Sequence, residues 1–440
     1  MTARRLTNFT LPWRDPLMAF APLSNEPYAL LLGPGGDAQS GRGRWSILLA
    51  QPDDIFEHNG PDALSDLPSL PLADGTTALP FIGGYAGLIS YEFGAALERV
   101  PRLRGSLWPD IAFGHYPCAA LFDHHEKVLH IVGPDTAKAQ NFAALLGDAP
   151  LPALPVQTNR HCDHHDSQNT VAKHVKSVID LIHQGDIFQA NISQSFEIDL
   201  GETENAYTYF QRLCSQSPTP YGAFFRLNTA RTLISNSPEQ FFALSPEGKV
   251  QTSPIKGTRP RSHEPLEDQR LAKALQQSAK DRAENLMIVD LMRNDLSRVC
   301  RAGSVQVTQN CALHSYANVH HLVSTIEGQV RPHLGAIDIL TACFPAGSIT
   351  GAPKIRAMEI IAQIEQYPRG PYYGALGYIS HHGAAEFNVL IRSAEHTHDK
   401  TGNHLYFRTG GGIVADSDPV MEVQEMLDKA QALCRAAGAK

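Results

Sequence analysis

Between residues 374 and 414 three apolar runs follow one another with no helical spacing between them: GALGYISHHG, AEFNVLIRSAE and HLYFRTGGGIV. Each has strand length and is closed by polar or glycine residues, so three successive strands are predicted. Helical spacing surrounds them. TVAKHVKSVIDLIHQG carries apolar residues at 171, 175, 178, 179, 181 and 182 and closes on Gly185. DRAENLMIVDLMRNDLSRV (281–299), IRAMEIIAQIEQ and DPVMEVQEMLDKAQALCRAA also read as helices,. DIFQANISQSFEIDL, SYANVHHLVSTIEGQV, YALLLGP (28–34) and RWSILLAQP (44–52) read as strands, and FIGGYAGLISYEFG (81–94) reads as a Gly/aromatic run of close backbone packing,. Strands and helices mix without a regular βαβ period, so the expected fold class is α+β, sheets flanked by helices, rather than a doubly wound sheet.

The 440 residues are divided by a proline-rich polar seam, GDAPLPALPVQTNRHCDHHDSQ (147–168). The expected domains are 1–150 and 165–436. HCDHHD within the seam has metal-like composition, and a solvated connector would carry the same residues. The seven cysteines, at 118, 162, 214, 300, 311, 343 and 434, form no CxxC pair, which fits reduced thiols rather than a disulfide framework or a zinc site. A net charge of −8 and a pI near 6.2 exclude nucleic acid and an anionic membrane as main partners. The opening MTARRLTNFTLPWRD has no apolar run behind its arginines, and no stretch approaches the roughly 20 apolar residues of a membrane span. A cytoplasmic protein with no membrane partner is expected.

Several segments could carry chemistry. SPIKGTRPR (253–261) sets Lys256 between prolines and a glycine, a pattern that predicts a turn or extended loop. On the last helix Glu422, Glu425 and Lys429 share one face apart from the apolar stripe, and Asp281 and Glu284 lie one turn apart on another. Such faces are solvated surface or, taken together, a site for a hard cation, since Mg²⁺ asks for only one or two carboxylates beside waters and an anionic substrate. GSITGAPK (347–354) opens a helix whose positive end suits a carboxylate or phosphate,, although the GK[ST] ending of a nucleotide loop is missing. RTGGGIV is either a tight turn or a place of close backbone approach to a ligand. Arg392, in an apolar strand, needs an anion if it faces inward. The set suggests a small polycarboxylate substrate partly neutralised by Mg²⁺.

Nine motifs in order, GDIFQANISQSF, SNSPEQF, PIKGTRPR, DRAENLMIVDLMRNDL, HHLVS, PAGSITGAPKIRAME, IRSA, GGGIV and a terminal E-x-x-E-x-x-x-K-A, resemble the chorismate-utilising enzymes. The resemblance runs from about 170 to 432, and the N-terminal part is similar to that family's subdomain, the kind seen in component I of anthranilate synthase. It implies chorismate as substrate and Mg²⁺ as cofactor, with Glu284 and Glu425 as ligands and Asp281 and Glu422 close behind. It implies that Arg392, Tyr372 and the backbone of Gly410, Gly411 and Gly412 hold the enolpyruvyl carboxylate. Ser348 and Lys429 would line the ring-carboxylate end, His321 would be the active-site histidine, and Glu239 the acid for the departing C4 hydroxyl. Isochorismate and salicylate synthases of the family carry a water-activating lysine where Gln189 stands, which argues against both. Anthranilate synthases carry alanine where Lys256 stands; lysine there is similar to the family's aminodeoxychorismate-forming branch, and implies that Lys256 is a nucleophile adding at C2. That branch implies ammonia as second substrate, from a separate glutamine amidotransferase subunit, since no Cys/His glutaminase segment follows the last helix, and a product serving 4-aminobenzoate and folate synthesis. Anthranilate synthesis and a non-catalytic chorismate-binding paralogue are the alternatives.

Overall fold

Two large antiparallel sheets of twelve and ten strands form the centre of the fold. The structure, a computed structural model, describes residues 6–35, 43–70, 77–103, 105–151, 159–202, 204–262, 264–316 and 319–439; residues 152–158 of the seam lie outside them. Strands from before and after the seam share both sheets. Leu30–Leu32 pairs with Tyr221–Arg226 in the larger sheet, and Gly84–Ile89 pairs with Ala375–Ser380 in the smaller. The mixture of helices and sheets agrees with the α+β expectation.

The alternation of side chains along each strand gives every sheet two faces to cover. Leu30, Ile47 and Phe225 of the larger sheet and Leu88, Leu376 and Tyr378 of the smaller belong to one buried cluster, the layer between the sheets. The outer faces are covered by helices. Ala279–Ser297 and Ala336–Cys343 pack on the smaller sheet. Gln168–His183, Lys354–Ile364 and Pro419–Ala437 pack on the larger. Among the described residues no helix is long and apolar enough to cross a membrane.

The expected elements are largely present, with three differences. The glycine/aromatic run at 81–94 divides into the strand Gly84–Ile89 and a helix, Tyr91–Leu97. AEFNVLIRSAE is broken rather than continuous: Ala385–Val389 belongs to the smaller sheet and Ser393–Asp399 to the larger. Arg392 therefore sits where the chain changes sheet, with φ of 51°, and not within an apolar strand. Finally, the three glycines of RTGGGIV are not a turn but the interior of the strand Gly402–Ile413, facing Ser193, Ile192 and Asn191 across the ladder.

A buried ion cluster fastens that glycine-bearing strand. Glu365 accepts from Arg369 Nε at 2.8 Å, from Arg408 Nη2 at 3.1 Å and from the Ser193 amide at 2.7 Å. Burial alone would raise its pKa, but Arg369 and Arg408 outweigh burial and hold it at about 2. Removing the one carboxylate two buried guanidiniums share leaves both uncompensated. Glu365→Gln is expected to cost about 3–5 kcal/mol, read as a lower urea midpoint with unchanged slope; a loss below about 1 kcal/mol would make the cluster ornamental.

Candidate active site

Lys256 does not lie in a loop. It belongs to the strand Ile255–Pro260 at one edge of the smaller sheet, paired with Val319–Gln329. The two prolines explain the misreading: Pro260 is the last residue of an edge strand, where proline is tolerated. The register shifts between Lys256 and Thr258, and the extra residue is Gly257 with φ of +82°, a conformation that favours glycine. A Cβ there would also lie 2.9 Å from Leu275 Cδ1. Such a bulge re-aims neighbouring side chains. Lys256 Nζ donates to the Ser348 carbonyl at 3.1 Å.

Burial lowers the Lys256 pKa; Glu239 and Glu284 pull it back up, and Lys429 pushes it down again. Enclosure is the main cause of the lowering, with the cationic neighbour Lys429 a smaller one. The free amine is thereby made more accessible near neutral pH. Glu239, between the strands Arg231–Ser237 and Gln240–Leu244, is 4% exposed. Burial raises its pKa, partly offset by a hydrogen bond from the Ser348 side chain and by Lys256. A half-buried amine and a buried acid thus meet at one serine.

Glu284 on Ala279–Ser297 and Glu422 on Pro419–Ala437 come together across the two helices. Lys280 Nζ stands 4.0 Å from an oxygen of each. Burial raises the pKa of both carboxyls. Glu425, half-exposed, is bound at 2.7 Å by Lys429, which is the chief reason its pKa is lowered. Lys429 also donates to the Gly410 carbonyl at 2.8 Å. Among the described residues no group of three or more His, Cys, Asp or Glu side chains could hold a metal ion. A buried Glu422 and a half-buried Glu284 with an ammonium 4.0 Å from each are nonetheless a donor set that suits a Mg²⁺ shared with an anionic substrate. Asp281 is engaged elsewhere, accepting from Arg259 at 3.1 Å.

The three strand glycines clear the floor. A Cβ at Gly410 would stand 2.9 Å from Tyr372 Oη, at Gly411 3.0 Å from Glu422 Oε2, and at Gly412 2.4 Å from Gln189 Nε2. Tyr372 is buried and stacks on Tyr373 at 4.0 Å. Arg392 is half-buried, and no hydrogen bond or ion pair among the described residues engages its guanidinium; burial lowers its pKa. His321 is reached through the lysine strand, its Nδ1 lying 2.8 Å from Thr258 Oγ1. Ser348 lies in a single 3₁₀ turn, Gly347–Ile349. The lysine of GSITGAPK is structural: Lys354 Nζ binds Asp295 at 2.7 Å and the Cys343 carbonyl at 2.9 Å.

Lys256 and Glu239 thus meet at Ser348, Glu425 and Gly410 meet at Lys429, and Glu284 and Glu422 stand about Lys280, with Tyr372 beside Gly410. Lys280 stands in none of the motifs, and nothing in the segments that carry Ser193, Glu365 and Arg408 tells that these residues meet.

The profile of the chorismate binding enzymes matches residues 37–435. The aminodeoxychorismate synthase component 1 of Salmonella typhimurium is 38% identical over 450 residues, covering 96% of each chain. The anthranilate synthase component 1 of Thermus thermophilus is 37% identical over 369 residues, covering 81% of this chain and 78% of the relative. The crystal structure of anthranilate synthase component I from Streptococcus pneumoniae TIGR4 superposes with a TM-score of 0.78 at 30% identity, covering 89% of this chain and 92% of that one.

Proposed function

We infer the function from one premise: the chain belongs to the chorismate binding enzymes, and within them it replaces the C4 hydroxyl of chorismate with an amino group. What supports this reading is Lys256, a half-buried amine beside a buried carboxylic acid, together with relatives named for aminodeoxychorismate synthesis that align along nearly the whole chain.

The proposed reaction has two displacements, which split one hard substitution into two easier ones. The neutral Lys256 amine adds to C2, the ring double bonds shift, and the C4–O bond breaks. Glu239 gives its proton to the departing oxygen, which leaves as water. Ammonia then adds at C4, the shift reverses, and the C2–N bond breaks to restore the lysine amine. The new C4 ammonium returns a proton to Glu239, so chorismate and ammonia become the C4 amine and water. Arg392, Tyr372 and the glycine-strand backbone would bind the enolpyruvyl carboxylate, with Lys429 and Ser348 at the ring carboxylate and His321 bordering the ring. Glu284 and Glu425, with Glu422 behind them, would hold Mg²⁺, which when bound supplies positive charge at the ring carboxylate.

Ammonia would come from a separate glutamine amidotransferase subunit. The purified chain is therefore expected to convert chorismate to 4-amino-4-deoxychorismate with ammonium salts and Mg²⁺, with rates rising at higher pH as free ammonia increases. Glutamine should support turnover only after a glutaminase subunit is added. Anthranilate as the sole product would assign the chain to the other reading, which the Thermus relative favours.

A further inference from the structure

Three buried polar atoms without partners belong to residues that line one small cavity. Tyr91 Oη, Glu92 Oε2 and Arg369 Nη1 make no hydrogen bond, and their residues are 7%, 5% and 2% exposed. The cavity, about 20 Å³, lies between the helices Tyr91–Leu97 and Lys354–Ile364. Its other lining includes Ala95, Ala362 and, on the outer rim, Pro101, which is exposed. Every other polar atom of the trio's side chains has a partner. Glu92 Oε1 accepts from the Arg369 amide at 2.8 Å, while Arg369 Nε and Nη2 serve Glu365 and the Asn191 carbonyl.

Unpaired buried polar groups each cost on the order of 1–3 kcal/mol, so three on one cavity call for a common guest. The volume admits one small molecule. The guest must donate to the free Glu92 oxygen, accept from the Arg369 N–H, and bond with the Tyr91 hydroxyl in either sense. Ammonium has four donors and no lone pair, so it would turn an N–H and a positive charge toward the guanidinium. Neutral ammonia, with three N–H groups and one lone pair, satisfies all three.

The cavity also lies behind the site. Arg369 sits 4.9 Å from the Tyr373 ring, and Tyr373 stacks at 4.0 Å on Tyr372, which stands beside Gly410 in the site. We propose that this cavity is a holding site for neutral ammonia, the amine nucleophile, between the protein surface near Pro101 and the ring-binding site. This rests on the amination reading above and adds where the nitrogen waits.

The test separates ammonia affinity from everything else. Tyr91→Phe removes one hydrogen-bonding group, Glu92→Gln replaces the carboxyl, whose pKa burial lifts to about 7, with an amide, and Ala95→Val fills the space. With chorismate and Mg²⁺ saturating, ammonium is titrated at fixed pH and products are identified by chromatography. Each variant is expected to raise the KM for ammonia about three- to tenfold, the worth of one hydrogen bond. The KM for chorismate, kcat at saturating ammonia and the melting temperature of Tyr91→Phe should stay near wild type. An unchanged ammonia KM in Tyr91→Phe and Ala95→Val would overturn the proposal and make the guest an ordered water only. Should Glu92→Gln fail to fold, the other two variants decide. Wild type that aminates at C2 instead of C4 would sink the proposed function while leaving the ammonia comparison valid; C4 amination with unshifted KM would sink the holding site alone.

Discussion

Lys256→Ala is expected to slow amination at C4 by roughly a thousandfold or more, the scale seen when a covalent nucleophile is removed. The fold should tolerate the change, because Lys256 Nζ makes one hydrogen bond, to the Ser348 carbonyl, and the strand around it is held by its backbone pairing. The proposed carboxylate contacts and the acidic pair are untouched, so the KM for chorismate should move little. With no amine to occupy C2, ammonia can attack there directly, and a weak anthranilate-synthase-like product should appear. Arginine would not rescue, being always charged and non-nucleophilic. Wild type incubated with chorismate but no ammonia should carry an adduct of chorismate less water on the peptide containing Lys256, visible by mass spectrometry. If that adduct is absent and the alanine variant aminates C4 at the wild-type rate, Lys256 is an electrostatic contact and nothing more.

The strands and long helices were legible because burial on one face writes a period into the sequence. Gln168–His183 and Gln189–Gly201 show this directly. What periodicity could not deliver was the behaviour of residues placed against local propensity. Lys256 reads as loop because prolines and a glycine surround it, yet an edge strand with a bulge accommodates all three. Gly410–Gly412 allow a tight turn or a close backbone approach because three glycines weaken a strand; pairing with Asn191–Ser193 holds them extended, and the space they leave is taken by Tyr372, Glu422 and Gln189. Arg392 reads as strand because its neighbours are apolar, while the chain there is passing between sheets. In each case tertiary packing overrode the local signal. The motifs still named the acidic and basic side chains, since ordered motifs survive errors in local structure. The resemblance also placed Glu422 near Glu284; what it did not name is Lys280, at which the two helices, far apart in sequence, converge.

That convergence sets the other large effect. Glu284→Gln and Glu425→Gln each remove a charged oxygen from the proposed Mg²⁺ site, and a loss of several kcal/mol of charge stabilisation corresponds to roughly a hundredfold or more in kcat/KM. Neither side chain holds the fold together. Among the described residues the Glu284 carboxylate has only the 4.0 Å contact with Lys280, and Glu425 pairs with Lys429 on its own helix, so circular dichroism and melting should be near wild type. The losses should shrink as Mg²⁺ is raised if the glutamines weaken metal affinity. Lys280 supplies a second, opposite test. Its ammonium stands between Glu284 and Glu422, where it competes with a divalent cation for the same charge. Its side chain is 55% exposed, and such solvent-screened pairs are worth about 0–1 kcal/mol. Lys280→Met should therefore lower the Mg²⁺ concentration for half-maximal activity by at most about fivefold. Loss of activity in the carboxylate variants with a leftward Mg²⁺ shift in Lys280→Met would tie the metal to this pair of helices. Full turnover in both glutamine variants, or in EDTA, would remove it.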